Sequence, residues 1–154
     1  MEPESPPLPL QTPFPRRGAL AGVDHGVKRI GLAVSNADQT LAMPVSTLDS
    51  KSVAHNTTHL LRFRDDYAIV GWVLGLPLLK SGDEGPQAAL VRAFGQWLAA
   101  TSQRPVTYWD ERLTSHAAEA KLAMLGESAA WNKGRVDGLA AQIILQAYLD
   151  QRPA

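Results

Sequence analysis

The chain contains no cysteine. That excludes disulfides, thiolate metal sites and a cysteine nucleophile, and it agrees with a reducing compartment. Net charge is also lacking, since 15 Lys and Arg stand against 15 Asp and Glu. No global field draws the protein onto nucleic acid, so any such binding must come from a local basic patch. No apolar run approaches the roughly 20 residues of a membrane span, and no membrane partner is expected. The opening MEPESPPLPLQTPFPRR lacks the apolar core of a secretory leader, so a cytoplasmic location is the expectation. No internal repeat is present.

What is there reads as one globular domain. The 154 residues are 45% apolar and 19% charged, enough chain and enough apolar surface for a proper core. Proline is unevenly spread, with six of its 11 copies in residues 1–15. That stretch can form neither helix nor ladder and is expected to be an extended or disordered tail, with the domain over 16–154.

Two β-like runs, 18–24 and 28–35, flank His25-Gly26-Val27 as a hairpin would. MPVSTL (43–48) suits a short third strand, placed at an edge by Pro44. Residues 50–66 space Val53, His55, Leu60 and Phe63 as a helix does. AIVGWVLGL (68–76) is apolar throughout, as a strand covered on both faces should be. A helix with Ala88, Val91, Gly95 and Leu98 on one face follows a polar loop. VTYWDE (106–111) is the last strand. A helix capped by Thr114 or Ser115 should run to about Leu125, and a final helix should span Arg135 to Asp150 with Leu139, Ala140, Ile143, Ile144 and Ala147 as its stripe. The order β-β-β-α-β-α-β-α-α predicts an α/β fold, a mixed sheet with helices on its faces.

Most acids are scattered over helix faces. Asp24 ends the first strand, Asp110 and Glu111 end the last, and Asp137 opens the last helix. Strand ends that point the same way bring such residues to one edge of a sheet. Convergent carboxylates are hard oxygen ligands suited to Mg²⁺ or Mn²⁺, and two ions so held can clamp the attacking and leaving oxygens of a phosphodiester. Each acid also has a plain structural alternative. Asp24 can cap its own turn, Glu111 can pair with Arg112 on the surface, and Asp137 can favour a helix N-terminus.

The loop LGLPLLKSGDEGPQA carries Gly75, Gly82, Gly85 and Lys80 ahead of a helix, an arrangement that admits phosphates but lacks the Walker pattern. Lys28, Arg29, Lys80, Arg112, Lys133 and Arg135 flank the acids or this loop and are the candidate nucleic-acid contacts. His55 and His59 share a helix face without a third ligand and are expected at the surface. Trp72 and Trp97 are expected in the core, as are Trp109 and Trp131, with base stacking the alternative for the last two.

Four ordered blocks, GVDHGVKRIGLAVSN, VLGLPLLKSGDEGPQA, DERLTSHAAEAKL and VDGLAAQIILQAYLD, together resemble the YqgF family. That family is also named after pre-16S rRNA nucleases and Holliday junction resolvases. The resemblance spans most of residues 19–150. It implies an RNase H-like fold, a five-stranded mixed sheet flanked by helices on both faces, and a two-metal nuclease site. Carried over, the catalytic acids are Asp24, bridging both ions, with Glu111 and Asp137 holding one each; Asp110 rivals Glu111 as a metal ligand. The chain departs from the family pattern at His25, Asn36 and Ser81, none of them a supposed ligand.

The expected activity is therefore a metal-dependent hydrolase of phosphodiester bonds, processing the 5′ end of pre-16S rRNA in ribosome biogenesis. Resolution of Holliday junctions in DNA repair and recombination is the alternative. A non-catalytic RNA-binding assembly factor is another, as is nucleotide binding of the actin and sugar-kinase kind, which needs a second domain that the length does not provide. Structured RNA or branched DNA is the expected partner, with the protein a monomer or homodimer.

Overall fold

The computed structural model describes residues 13–113 and 138–152. Strands β1 (Ala19–His25), β2 (Arg29–Ser35) and β3 (Ala42–Asp49) precede helix α1 (Val53–Asp66). Strand β4 (Ile69–Leu76), helix α2 (Pro86–Ser102) and strand β5 (Val106–Asp110) follow, then a single 3₁₀ turn (Glu111–Leu113) and helix α3 (Leu139–Gln151). The five strands form one sheet in the order β3-β2-β1-β4-β5. β1 pairs antiparallel with β2, and β2 with β3. β1 pairs parallel with β4, and β4 with β5. The sheet is mixed, as the element order predicts.

The β1–β2 turn closes through the Gly26 N–H, which donates to the Arg29 carbonyl at 2.8 Å. β3 is an edge strand, where Pro44 removes no ladder bond that a neighbour needs. The register shifts between Leu32 and Ala33, with Pro44 and Ser46 their partners on β3. β4 lies between β1 and β5, and Ile69, Trp72, Val73, Leu74 and Leu76 are all buried. Its unbroken apolar run follows from having both faces covered.

Side chains alternate between two cores. Ala21, Val23, Trp72 and Leu74 pack with Leu60 and Phe63 of α1 and Val91 and Leu98 of α2. Leu20 and Val73 point the other way, toward Ala141, Ile144 and Leu145 of α3. The Trp72 indole N–H donates to Ser102 Oγ at 2.9 Å, satisfying a group that is fully buried. Phe14 stacks edge-on against Tyr148 at 6.0 Å, and Gln39 donates to the carbonyls of Pro15 and Gly18. No helix among the described residues is long and apolar enough to cross a membrane.

Four expectations need correction. Val53 is 70% exposed, because α1 begins there and its N-cap, Ser52, leaves the first turn beyond the core. β5 stops at Asp110 because Asp110 Oδ1 accepts the Arg112 N–H at 2.9 Å, which turns the chain into the 3₁₀ helix. α3 starts at Leu139, not Arg135, because Gly138 has a φ of 81°, outside helical space. Its buried face is also wider than the apolar stripe: Ala140 is exposed, whereas Gln142 and Gln146 are buried. The Gln146 side chain accepts the Ala42 N–H and donates to the Thr40 carbonyl, and Gln142 donates to the Ala42 carbonyl. The two glutamines hold backbone at the start of edge strand β3, where Ala42 is buried and its polar groups need partners. The helix expected over 114–125 lies outside the described residues.

Gly22 lets α3 approach the sheet closely. A Cβ there would stand 2.7 Å from both the Ala141 carbonyl oxygen and Leu145 Cβ. Gly22→Ala should therefore destabilise the fold by about 1–3 kcal/mol, as overpacking does. Urea denaturation checks it, and a change under about 0.5 kcal/mol would mean that α3 is free to shift.

Candidate active site

Alternation along β1 puts Gly22 and Asp24 on the α3 face of the sheet, while His25 turns to the other face and stacks on Phe94 of α2 at 4.3 Å. Asp24 lies beside Gly31, its partner across the β1–β2 pairing. A Cβ at Gly31 would be 3.5 Å from Asp24 Cβ and 3.7 Å from Ala141 Cβ, so Asp24 sits in the angle between the sheet and the first turn of α3.

Glu111 reaches the same place from β5. Its Cγ and Cδ lie 3.1 and 3.2 Å from where a Gly75 Cβ would be, and Ile144 Cδ1 lies 2.6 Å from that point. The parallel register pairs Val23 with Leu74 and Gly75 with Trp109. Gly75 is thus the floor between the two acids, and glycine is the residue that leaves room for Glu111 above it.

The two carboxylates are half-buried, and among the described residues neither accepts a hydrogen bond or joins a salt bridge. Burial pushes the Asp24 carboxyl above its ordinary value, more than the charge of His25 lowers it. Burial likewise raises Glu111, and the negative charges of Asp24 and Asp110 raise it further. Like charges held this way destabilise each other unless a cation joins them. The turn-capping alternative for Asp24 has no support here, because the turn closes through backbone alone.

Asp110 is placed differently. It forms a salt bridge with Arg112 at 2.7 Å, and hydrogen bonds from Arg112 hold its carboxyl below the usual carboxylate range. The surface pair foreseen for Arg112 forms, but with Asp110 in place of Glu111. Lys28 and Arg29 are exposed at the β1–β2 turn, and Lys80 is exposed on the loop after β4. Lys133, Arg135 and Asp137 lie outside the described residues, as does Trp131. Among the described residues no group of three or more His, Asp or Glu is arranged to hold a metal ion.

Trp109 packs edge-on against Tyr148 at 6.0 Å in the α3 core, the place expected of it. His55 and His59 lie ring against ring at 4.3 Å on α1, packed on the opposite face of the sheet. Sequence reasoning missed Gly31 and Gly75 as parts of the site. Gly75 was read within a phosphate loop, whereas it ends a buried strand beneath Glu111.

Both upward shifts mean that the folded protein holds these protons more tightly than the unfolded chain. The resulting penalty is fully present above the folded pKa values and fades as pH falls through them. Asp24→Asn should accordingly raise the melting temperature at pH 7 in EDTA, and the gain should shrink as the pH is lowered. Calorimetry across that range checks the prediction; a lower melting temperature at pH 7 would show that the carboxylates do not repel.

Comparison with known proteins gives the family and the fold. A family model described as "RuvX: Holliday junction resolvase" matches residues 18–151. A protein of Bradyrhizobium diazoefficiens named "Putative pre-16S rRNA nuclease" is 42% identical over 147 residues, covering 94% of this chain and 91% of the relative. A protein of the same name from Chloroflexus aurantiacus is 40% identical over 133 residues, covering 86% of this chain and 87% of the relative. Among solved structures, Thermus thermophilus RuvC superimposes with a TM-score of 0.57 at 14% identity, over 84% of this chain and 92% of RuvC. RuvC bound to a Holliday junction substrate gives 0.56 at 13% identity, over 85% and 92%. The fold is that of the RNase H-like resolvases, and the chain belongs to the RuvX family, the one that its four sequence blocks foreshadow.

Proposed function

We propose that this protein is a nuclease that hydrolyses phosphodiester bonds with the help of Mg²⁺ or Mn²⁺, and that its natural substrate is the 5′ end of pre-16S rRNA. The observation that carries the reading is the convergence of Asp24 and Glu111 above Gly75 on the α3 side of the sheet. Two half-buried carboxylates that repel each other, with no cationic side chain bonded to them among the described residues, are a donor set that fits a hard divalent ion. Asp137, two residues before the start of α3, is the proposed third acid. Such ions supply positive charge for the developing oxyanions and a water acidified toward neutral pH.

The chain's own residues do the rest. Asp24 and Glu111 would hold the divalent ions at the edge of the sheet, and Asp137 would be the third ligand. Lys28, Arg29 and Lys80 meet the nucleic-acid backbone on either side; Lys133 and Arg135 are further candidates for that contact. In the hydrolysis, water oxygen bonds to phosphorus, the bond from phosphorus to the leaving sugar oxygen breaks, and that oxygen takes up a proton. The relatives named for pre-16S rRNA support the RNA substrate and a cytoplasmic place of work.

Branched DNA is the second reading, favoured by the family's description and by the fold shared with a junction-bound resolvase. Symmetrical cleavage of a four-way junction needs two active sites, hence a homodimer, whereas end processing of RNA can be done by a monomer. Purified protein offered a pre-16S leader RNA and a four-way DNA junction side by side, with Mg²⁺, Mn²⁺ or EDTA, separates the two. Asp24→Asn and Glu111→Gln should each lower kcat by more than about a hundredfold while the protein stays folded. Cleavage by either variant at the native rate would remove that acid from the mechanism. Binding of the RNA without cleavage in any metal would make the protein an assembly factor.

A further inference from the structure

We infer that Asp110 is a positioning residue, and that the outer edge of the Arg112 guanidinium, held by Asp110 over Gly82, is a seat for a backbone phosphate of the bound nucleic acid. The inference rests on the nuclease reading and gives Asp110 a role other than that of a metal ligand.

The geometry is that of a held fork. Arg112 Nε donates to both Asp110 oxygens at 3.1 Å, and Nη2 donates to Oδ2 at 2.7 Å. The Arg112 backbone N–H donates to Oδ1 at 2.9 Å, so both ends of the arginine are tied to one carboxylate. A guanidinium has five N–H groups in one plane. The inner edge, Nε and one Nη2 hydrogen, is used. The Nη1 hydrogens and the second Nη2 hydrogen have no acceptor among the described residues.

That outer edge lies over the loop after β4. Arg112 Nη1, Nη2 and Cζ are 3.5, 3.7 and 4.0 Å from where a Cβ at Gly82 would be. Gly82 has a φ of 93°, which other residues rarely adopt, so this approach stays bare. The loop is closed on itself: the Leu79 N–H donates to the Asp83 carbonyl at 2.9 Å, and the Gly82 N–H donates to the Leu79 carbonyl at 2.8 Å. Lys80 is exposed at its tip. An oriented fork with one edge unbonded among the described residues, next in sequence to Glu111 and beside a lysine, suits a phosphate oxygen pair. As a mere surface ion pair it would contribute almost nothing to stability, which does not account for four hydrogen bonds to a single carboxylate.

Binding of a fluorescein-labelled RNA duplex and of a labelled four-way DNA junction would be followed by anisotropy in EDTA from 50 to 200 mM salt, a range in which phosphate contacts dominate the change in affinity. Cleavage kinetics of whichever probe is cut would be measured in parallel. Arg112→Ala should make the slope of log affinity against log salt shallower by about one. Arg112→Lys should not restore it, since an ammonium cannot hold Asp110 and present a second edge. Asp110→Asn should raise KM with kcat kept, and Asp110→Asn combined with Arg112→Ala should be no weaker than Arg112→Ala alone. The probe whose slope changes names the substrate's nucleic acid. An unchanged slope in Arg112→Ala, a wild-type KM in Asp110→Asn, or binding of neither probe overturns the inference. Loss of kcat with KM intact in Asp110→Asn also overturns it and makes Asp110 a ligand. Binding without cleavage by the wild type sinks the nuclease reading alone, and the slope still decides this one.

Discussion

The structure depends on how closely α3 is seated on the sheet. Gly22 and Gly75 leave no side chain between the helix and strands β1 and β4, so Leu145 and Ile144 rest directly on the backbone. Gly138 extends the contact at the helix start, where a Cβ would stand 2.4 Å from the Leu32 carbonyl oxygen, and its N–H reaches Thr47 Oγ1 at 3.3 Å. Interiors packed at this density transmit any added atom as a displacement. The same strip of backbone that admits the helix also forms the floor on which Asp24 and Glu111 meet.

Electrostatics then separates two neighbours in the sequence. Asp110 and Glu111 are adjacent, but strand and 3₁₀ turn send them to different environments. Asp110 finds Arg112 and is stabilised as a carboxylate. Glu111 finds burial and the charge of Asp24, and is destabilised as one. A fold that retains two mutually repelling, half-buried acids forgoes stability at that point, and such concessions cluster at functional sites. The buried glutamines of α3 show the opposite case, polar groups kept inside because the edge-strand backbone needs them.

Much of the architecture was legible before any coordinates. The unbroken apolar run of β4 foretold a central strand, Pro44 foretold an edge, and Ala88, Val91, Gly95 and Leu98 foretold the buried face of α2. Less legible were element ends. The start of α3 turns on one positive φ at Gly138, and the end of β5 on one side chain, Asp110, bonding back to the chain. Periodicity averages over several residues and is blind to single-residue events of this kind. The buried face of α3 was misjudged for another reason: Gln142 and Gln146 are polar, and only their partners on β3 make burial favourable.

By itself, the sequence determined the class of chemistry within reach. Without cysteine, and with acids grouped at predicted strand ends, hard-ligand phosphoryl chemistry was the natural reading, and four motif blocks pointed to the family. Only the tertiary structure decided which acid at the end of β5 faces Asp24. Two adjacent residues carry the same charge and the same local pattern, so charge and pattern do not distinguish them, and the family resemblance that favoured Glu111 left Asp110 as its rival. The distinction arises from the register of β4 against β5, which puts Gly75 beneath Glu111, and from the guanidinium that claims Asp110. Both are contacts between parts of the chain that meet only on folding.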